Sequence, residues 1–278
     1  MKKKVLFSVL CVLVVGFFCV LKLCANKETT ELNFNELYNK KDELGETVNI
    51  YEDSNQGARI YIDNKYGPEN VDSMRPVRKS TYDVPGYNQH SLNVYYKKVN
   101  GIEVKGTCEI VSCLEMLIYY DNIDNDFSVN DSIEDAFVKI FDACIKDGST
   151  TYTDGTKARW VDDCIDVTFK TYGSSRRGNI NWYYLFENIS DSVNSKNPII
   201  LDIPGHSVVV RGLETFNAYI KSGNSNNSVT ETKKEQFVAI VTGWNDPEDA
   251  ENLYPYGIYP IEKINSNRSK YQVVWAEK

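Results

Sequence analysis

Cys108 sits in the run Gly106-Thr107-Cys108-Glu109-Ile110-Val111-Ser112-Cys113-Leu114-Glu115-Met116-Leu117-Ile118-Tyr119-Tyr120. The run reads as a glycine-led turn, a cysteine, and then a helix with an apolar stripe. A thiol at a helix N-terminus meets unpaired N–H groups and the positive end of the helix dipole. Both favour the thiolate, which is the nucleophilic form. The chain has only two histidines, His90 and His206. His206 follows Pro204-Gly205 and leads the β-branched run Ser207-Val208-Val209-Val210. A cysteine with a distant histidine supports nucleophilic attack on a carbonyl, with the imidazole carrying the proton. His90, close upstream of the cysteine, is the runner-up base. Cys113 faces the helix interior and reads as a core residue.

Other chemistries find less support. There is no His-x-x-x-His pattern, no cysteine pair at zinc spacing and no glycine-rich phosphate loop, so neither a metal nor a cofactor is expected. Asp162, Asp163 and Asp166 form an acidic helix face, and Gly173-Ser174-Ser175-Arg176-Arg177-Gly178 reads as a solvated basic turn. The formal charge is −8, and no basic stretch is interleaved with aromatics, which argues against nucleic acid as a partner. A peptide or protein substrate fits better; the oligomeric state is not legible.

Lys2, Lys3 and Lys4 precede an uncharged apolar run from Val5 to Leu21, the mark of a signal peptide or signal anchor over residues 1–25. The expected location is therefore secreted, or anchored on the outer side of a membrane through this segment. Four cysteines follow it: Cys108, Cys113, Cys144 and Cys164. Cys108 and Cys113 are five apart on one helix and cannot be bridged. Cys144 and Cys164 are read either as a disulfide or as two buried thiols.

The elements that must hold these residues divide along the chain. Residues 26–80 read as a polar N-terminal extension, with a short helix around Phe34 to Leu44, a hairpin formed by Val48–Tyr51 and Arg59–Ile62, and an irregular connector from Tyr66 to Arg78. Helical spacing is read over Cys108–Tyr120, Ser132–Lys146, Ala158–Tyr172 and Trp182–Asn194. Short β runs follow at Pro198–Ile203, Ser207–Val210, Phe237–Val241, Ile258–Ile261 and Tyr271–Trp275. Ser222–Ser228 reads as a flexible loop. A helical first half and a β second half predict an α+β fold with a site where the halves meet.

Four segments also resemble a family. Asp83-Val84-Pro85-Gly86-Tyr87-Asn88-Gln89 is similar to the Val-Pro-x-Tyr-x-Gln opening of the bacterial papain-like cysteine peptidases related to the bacteriocin double-glycine-leader-processing peptidases. The Cys108 helix is similar to their nucleophile helix, with Ser112, Leu117, Tyr119 and Tyr120 matching in place. Asn197-Pro198-Ile199-Ile200 and Gly205-His206-Ser207-Val208-Val209-Val210 resemble the strand pair that carries their histidine. Gly243-Trp244-Asn245-Asp246-Pro247 resembles a later strand end.

The resemblance spans about residues 82 to 275. It implies a papain-like peptidase domain over residues 81–278, in which a helical half bearing the nucleophile helix packs on an antiparallel sheet. It further implies Cys108 as nucleophile, His206 as its proton partner, Asp246 or alternatively Asn245 as the group orienting the imidazole, and Gln89 as oxyanion donor. The expected activity is thiol-dependent hydrolysis of peptide bonds. The alternatives are an inactive papain-like peptide-binding module, or a transglutaminase- or amidase-like acyl transferase using the same residues. Glu109 and Ile110 depart from the family, which carries Gly and Pro after the cysteine. A carboxylate at Glu109 disfavours the thiolate if it points inward.

Overall fold

The computed structural model describes residues 38–41, 47–183, 185–222, 229–244 and 256–278. The leader at 1–25, the loop at 223–228, and both Asn245 and Asp246 lie outside these residues. Every described residue falls within one unit, Leu37–Lys278.

The first elements differ from expectation. Tyr38–Lys41 (β1) is a strand, antiparallel to Thr47–Asn49 (β2), where a short helix was expected. The expected hairpin is replaced by a two-residue strand, Tyr51–Glu52 (β3), and a helix, Asn55–Tyr66 (α1). Ser54 caps that helix, its Oγ accepting from the Gly57 N–H at 3.0 Å. Ala58, Tyr61 and Ile62 are buried at helical spacing. The cap and this 3–4 periodicity outweigh the two isoleucines that suggested a strand. The expected connector contains Val71–Thr81 (β4), a full strand; its Pro76 sits at a register shift, where a missing N–H is tolerated.

The helical layer comprises Gln89–Asn100 (α2), Cys108–Asp121 (α3), Ile133–Asp147 (α4), Val161–Thr171 (α5) and Leu185–Ser195 (α6). α2 escaped the sequence reading, although Asn88 caps it by accepting from the Ser91 N–H at 3.0 Å. α3 is buried from Glu109 through Leu117, as befits a helix apolar on nearly every side. Between α4 and α5 lies a small hairpin of Thr150–Thr151 (β5) and Gly155–Thr156 (β6).

The remaining strands are Arg177–Asn181 (β7), Ile199–Ile203 (β8), His206–Ser222 (β9), Val229–Val241 (β10), Tyr256–Pro260 (β11) and Gln272–Glu277 (β12). They form one antiparallel sheet in the order β3-β11-β10-β9-β8-β12-β7, with β4 also paired to β9. Ile261, expected in a strand, begins a short helix, Ile261–Ser266 (α7). β9 changes partner midway: its first residues pair with β8 as far as Val210, and from Gly212 onward it pairs with β4. Gly212 permits the exchange, because a Cβ there would lie 2.4 Å from the Ser80 carbonyl oxygen.

The two sheet faces bury different cores. Val238 and Ile240 of β10 belong to the large core with α2–α6, whereas Phe237 and Ala239 belong to a smaller core with α1. Alternate residues of a strand face opposite ways, so α1 covers the face opposite the helical layer. Residues 51–81 thus enter the same sheet and core as the later chain. The architecture is α+β, with helices on an antiparallel sheet.

Three surface readings also change or resolve. Arg176, read as part of a solvated turn, is buried: it pairs with Asp124 at 2.7 Å, donates to the Ala276 carbonyl at 3.2 Å and lies 3.6 Å from the Tyr120 ring centroid. Asp166 accepts from the Gly178 N–H at 2.5 Å, and among the described residues no group of three His, Cys, Asp or Glu is placed to hold a metal ion. Cys144 and Cys164 are buried free thiols. Among the described residues no helix is long and apolar enough to cross a membrane.

Candidate active site

Cys108 is the first residue of α3 and is half-buried. The backbone before it is held open by glycine: Gly106 has φ +65°, which side chains rarely adopt, and packs against Gly155 of the β5–β6 hairpin. Thr107 stands at the N-cap position without capping; its hydroxyl instead donates to Asn93 Oδ1 of α2 at 2.7 Å. The first N–H groups of α3 therefore receive no side-chain cap from Thr107.

His206 is placed by a two-residue turn. Ile203 pairs with His206 across Pro204-Gly205, and Gly205 has φ +80°. Proline then glycine at the two central positions is the preference of such a turn. The ring is buried, and two neighbours define its pose. It stacks on Trp244 with centroids 4.2 Å apart and planes 23° from parallel. Its Nε2 lies 2.6 Å from the Thr242 carbonyl oxygen. A carbonyl only accepts, so Nε2 carries the hydrogen, and in the neutral ring Nδ1 is the basic nitrogen.

Gln89 is buried at the start of α2, and its backbone N–H donates to the Gly243 carbonyl at 2.8 Å. That bond ties α2 to the strand end that carries Thr242 and Trp244. The Tyr87 N–H donates to Glu115 of α3 at 3.0 Å, so the same loop is also fixed to the cysteine helix. Gln89, Cys108 and His206 all line one cleft of about 450 Å³. His90, the runner-up base, is exposed and is not among the residues lining it. Asn245 and Asp246 lie outside the described residues.

The electrostatics differ from the simple helix-start picture. Burial pushes the Cys108 thiol up to about 12, with the nearby Glu109 and Asp202 acting in the same direction; hydrogen bonding from Ser207 opposes them. The helix N-terminus does not overcome desolvation here, and the resting group is the thiol. Glu109 does point inward. It is buried, and its Oε1 accepts weakly from Cys113 Sγ at 3.5 Å. Its own carboxyl is held well above the usual range, first by burial and then by Asp202. Burial thus favours the neutral form of Glu109 relative to a free carboxyl.

Asp202, Gln272, Thr242 and Trp182 were not singled out from sequence. Asp202 faces Ser207, whose hydroxyl donates to it at 2.6 Å, and Gln272, whose side-chain amide also donates to it. Its signal was a carboxylate inside the apolar strand Ile199-Ile200-Leu201-Asp202-Ile203. Trp182, 38% exposed, lines the cleft from the end of β7. Gln272 and Thr242 had no local signal, because only the sheet brings them to the site.

No protein-family model matches the chain, and no curated protein matches it. Among solved structures, the chain is similar to the crystal structure of UfSP from C. elegans, with a TM-score of 0.40 and 14% sequence identity. The match covers 73% of this chain and 35% of that one, so it spans about a third of that protein. Likeness at this level fixes neither fold nor chemistry.

Proposed function

We propose that this chain is a papain-like thiol peptidase, with Cys108 as nucleophile and His206 as its proton partner. The observation that carries this reading is the convergence of Cys108, His206 and Gln89, from three separate elements, on one cleft. Because the resting sulfur is a thiol, its proton moves to His206 Nδ1 as the sulfur attacks the peptide carbonyl. The imidazolium then returns the proton to the leaving amine. Water, activated by the same ring, releases the acyl group from the sulfur. The Gln89 side-chain amide and the Cys108 N–H supply the oxyanion donors. The Thr242 carbonyl holds the ring tautomer, and Asp246 or Asn245 completes that role where it reaches the ring.

A second reading is favoured by one observation. A thiol held at about 12 beside a buried acid suits a papain-like module that binds peptide without turning it over. Labelling of the full chain with a peptide bearing a thiol-directed electrophile separates the two. The peptidase reading requires Cys108 to be labelled, the label to vanish in Cys108→Ser, and the rate to fall at least tenfold in His206→Ala. Peptide binding with no labelling identifies the inactive module. Transfer of an added amine onto a glutamine peptide would point instead to an acyl transferase. Secretion or membrane anchoring through residues 1–25 belongs to the same proposal and is tested by locating the mature N-terminus in cell fractions.

A further inference from the structure

Next to the histidine, one hydroxyl stands between two acceptors. Ser207 is half-buried and lines the cleft with Cys108. Ile203 and His206 pair across the two-residue turn, so Asp202 and Ser207 form the next pair along β8 and β9. Pairs in an antiparallel hairpin alternate, and this one is the open kind, whose backbone groups point away from the partner strand. β10 joins β9 only from Val209 onward, which leaves those groups to α3. The Ser207 carbonyl accepts from Ser112 Oγ at 3.2 Å. The Ser207 N–H and hydroxyl both reach the Cys108 sulfur. Side chains of an open pair lie close together, and the hydroxyl donates to Asp202 at 2.6 Å. A hydroxyl has one hydrogen, so it serves Asp202 or the sulfur but not both. A neutral thiol accepts weakly, whereas a hydrogen bond to an ionised group is roughly twice as strong as a neutral one. Asp202 keeps a donor when the hydroxyl turns away, because the Gln272 amide also donates to it.

We propose that Ser207 is a further catalytic residue: its hydroxyl turns from Asp202 to the Cys108 sulfur as the sulfur loses its proton, and joins the Ser207 N–H in holding the thiolate. The role in catalysis rests on the peptidase reading; the holding of the thiolate does not. The sulfur's proton goes to His206 Nδ1, and Ser207 keeps its own hydrogen throughout, so no proton passes through it. Once the sulfur is bonded to the acyl carbon it carries no charge, and the hydroxyl returns to Asp202. Asp202 and Ser112 are positioning residues, the first holding the hydroxyl at rest and the second the Ser207 carbonyl.

The test uses the full chain and iodoacetamide, a small reagent whose rate follows the thiolate and needs no peptide site. Alkylation of Cys108 is mapped by mass spectrometry, and its rate is followed from pH 6 to 9. Ser207→Ala should slow the rate at least fivefold at every pH, displacing the whole profile toward higher pH. Ser207→Thr restores the hydroxyl and should return the rate to within threefold of wild type. Equal rates in Ser207→Ala and wild type, or a Ser207→Thr rate as slow as that of Ser207→Ala, overturns the proposal. Should Ser207→Ala fail to fold, the near-isosteric pair Ser207→Thr and Ser207→Val takes its place: the threonine variant should react at least fivefold faster, and equal rates overturn the proposal. Labelling with the peptide electrophile reads the other question. If it labels Cys108 equally fast in wild type and Ser207→Ala, the role of Ser207 falls and the peptidase reading stands. If the iodoacetamide rates behave as expected but the peptide electrophile never labels Cys108, Ser207 holds the thiolate of a module that is not a peptidase.

Discussion

Gly155→Ala tests whether the β5–β6 hairpin holds the loop that presents Cys108. At Gly155, φ is +67°, and an added Cβ would lie 2.3 Å from the Gly106 carbonyl oxygen, 3.1 Å from its carbon and 3.2 Å from its Cα. Ordinary contact begins near 3.4 Å, so backbone must move by about an ångström. A left-handed alanine costs roughly 1–2 kcal/mol, and overpacking against backbone adds about 1–3 kcal/mol. A total of about 2–5 kcal/mol corresponds, at roughly 2 °C per kcal/mol in a chain of this size, to a fall in Tm of roughly 4–10 °C.

The displaced atoms belong to Gly106, two residues before Cys108. An ångström of misplacement there should slow electrophile labelling of Cys108 by tenfold or more, within the ~100-fold that such errors cost. Gly148→Ala is the control: φ is +89° but nothing lies within 4 Å, so only the roughly 1–2 kcal/mol backbone term remains and labelling should be unchanged. Thermal melts and labelling rates on the three proteins decide the matter. Equal Tm losses for the two variants, with wild-type labelling in both, would refute the view that this contact positions the cysteine.

Further outcomes follow from the buried groups. Glu109→Gln should leave labelling at pH 7 within about threefold, since burial favours the neutral carboxyl that the amide mimics; a tenfold rise would mean that the carboxyl was ionised. For the same reason, a carboxyl held above its ordinary 4.5 in the folded state stabilises the fold at low pH and loses that contribution as pH rises above 4.5. Urea melts should therefore show the wild type losing ground to Glu109→Gln as pH increases. Glu214, raised to about 7 by burial and by Asp53, should show a carboxyl titration near 7 by NMR. Lys79→Met should move that titration higher, because the lysine lies 2.7 Å from the carboxylate. Trp244→Ala removes the ring stacked on His206. A stacked pair is worth about 0.5–1.5 kcal/mol, so labelling should slow by roughly threefold to tenfold. An unchanged rate would mean that the Thr242 carbonyl suffices to hold the imidazole.

Much of the secondary structure could be read because its signals are local. α3, α4 and α5 follow from apolar spacing, and Ser132 caps α4 as a serine in that position should, its Oγ accepting from the Asp135 N–H at 3.1 Å. Pro204-Gly205 marks the turn that starts β9 at His206. The N-terminal third was misread where short β-branched pairs competed with a cap: Ile60 and Ile62 suggested a strand, but Ser54 and the buried Ala58 and Tyr61 make a helix. β4 was hidden by Pro76, whose cost disappears only because β4 itself bulges there against β9. Arg176 looked solvated because nothing nearby in sequence reveals Asp124 or Tyr120 as its partners.

The sequence alone determined the α+β alternation, a cysteine at a helix start and a histidine behind a Pro-Gly turn. Each depends on interactions reaching only a few residues along the chain. The tertiary structure decided that Cys108, His206 and Gln89 share a cleft, that the Thr242 carbonyl and Trp244 hold the imidazole, and that Glu109 points inward. It also decided the ionisation of the site. A helix N-terminus favours a thiolate, yet desolvation by distant segments, together with Glu109 and Asp202, leaves Cys108 a thiol. Burial is a property of everything packed around a group, and no local pattern of residues contains it.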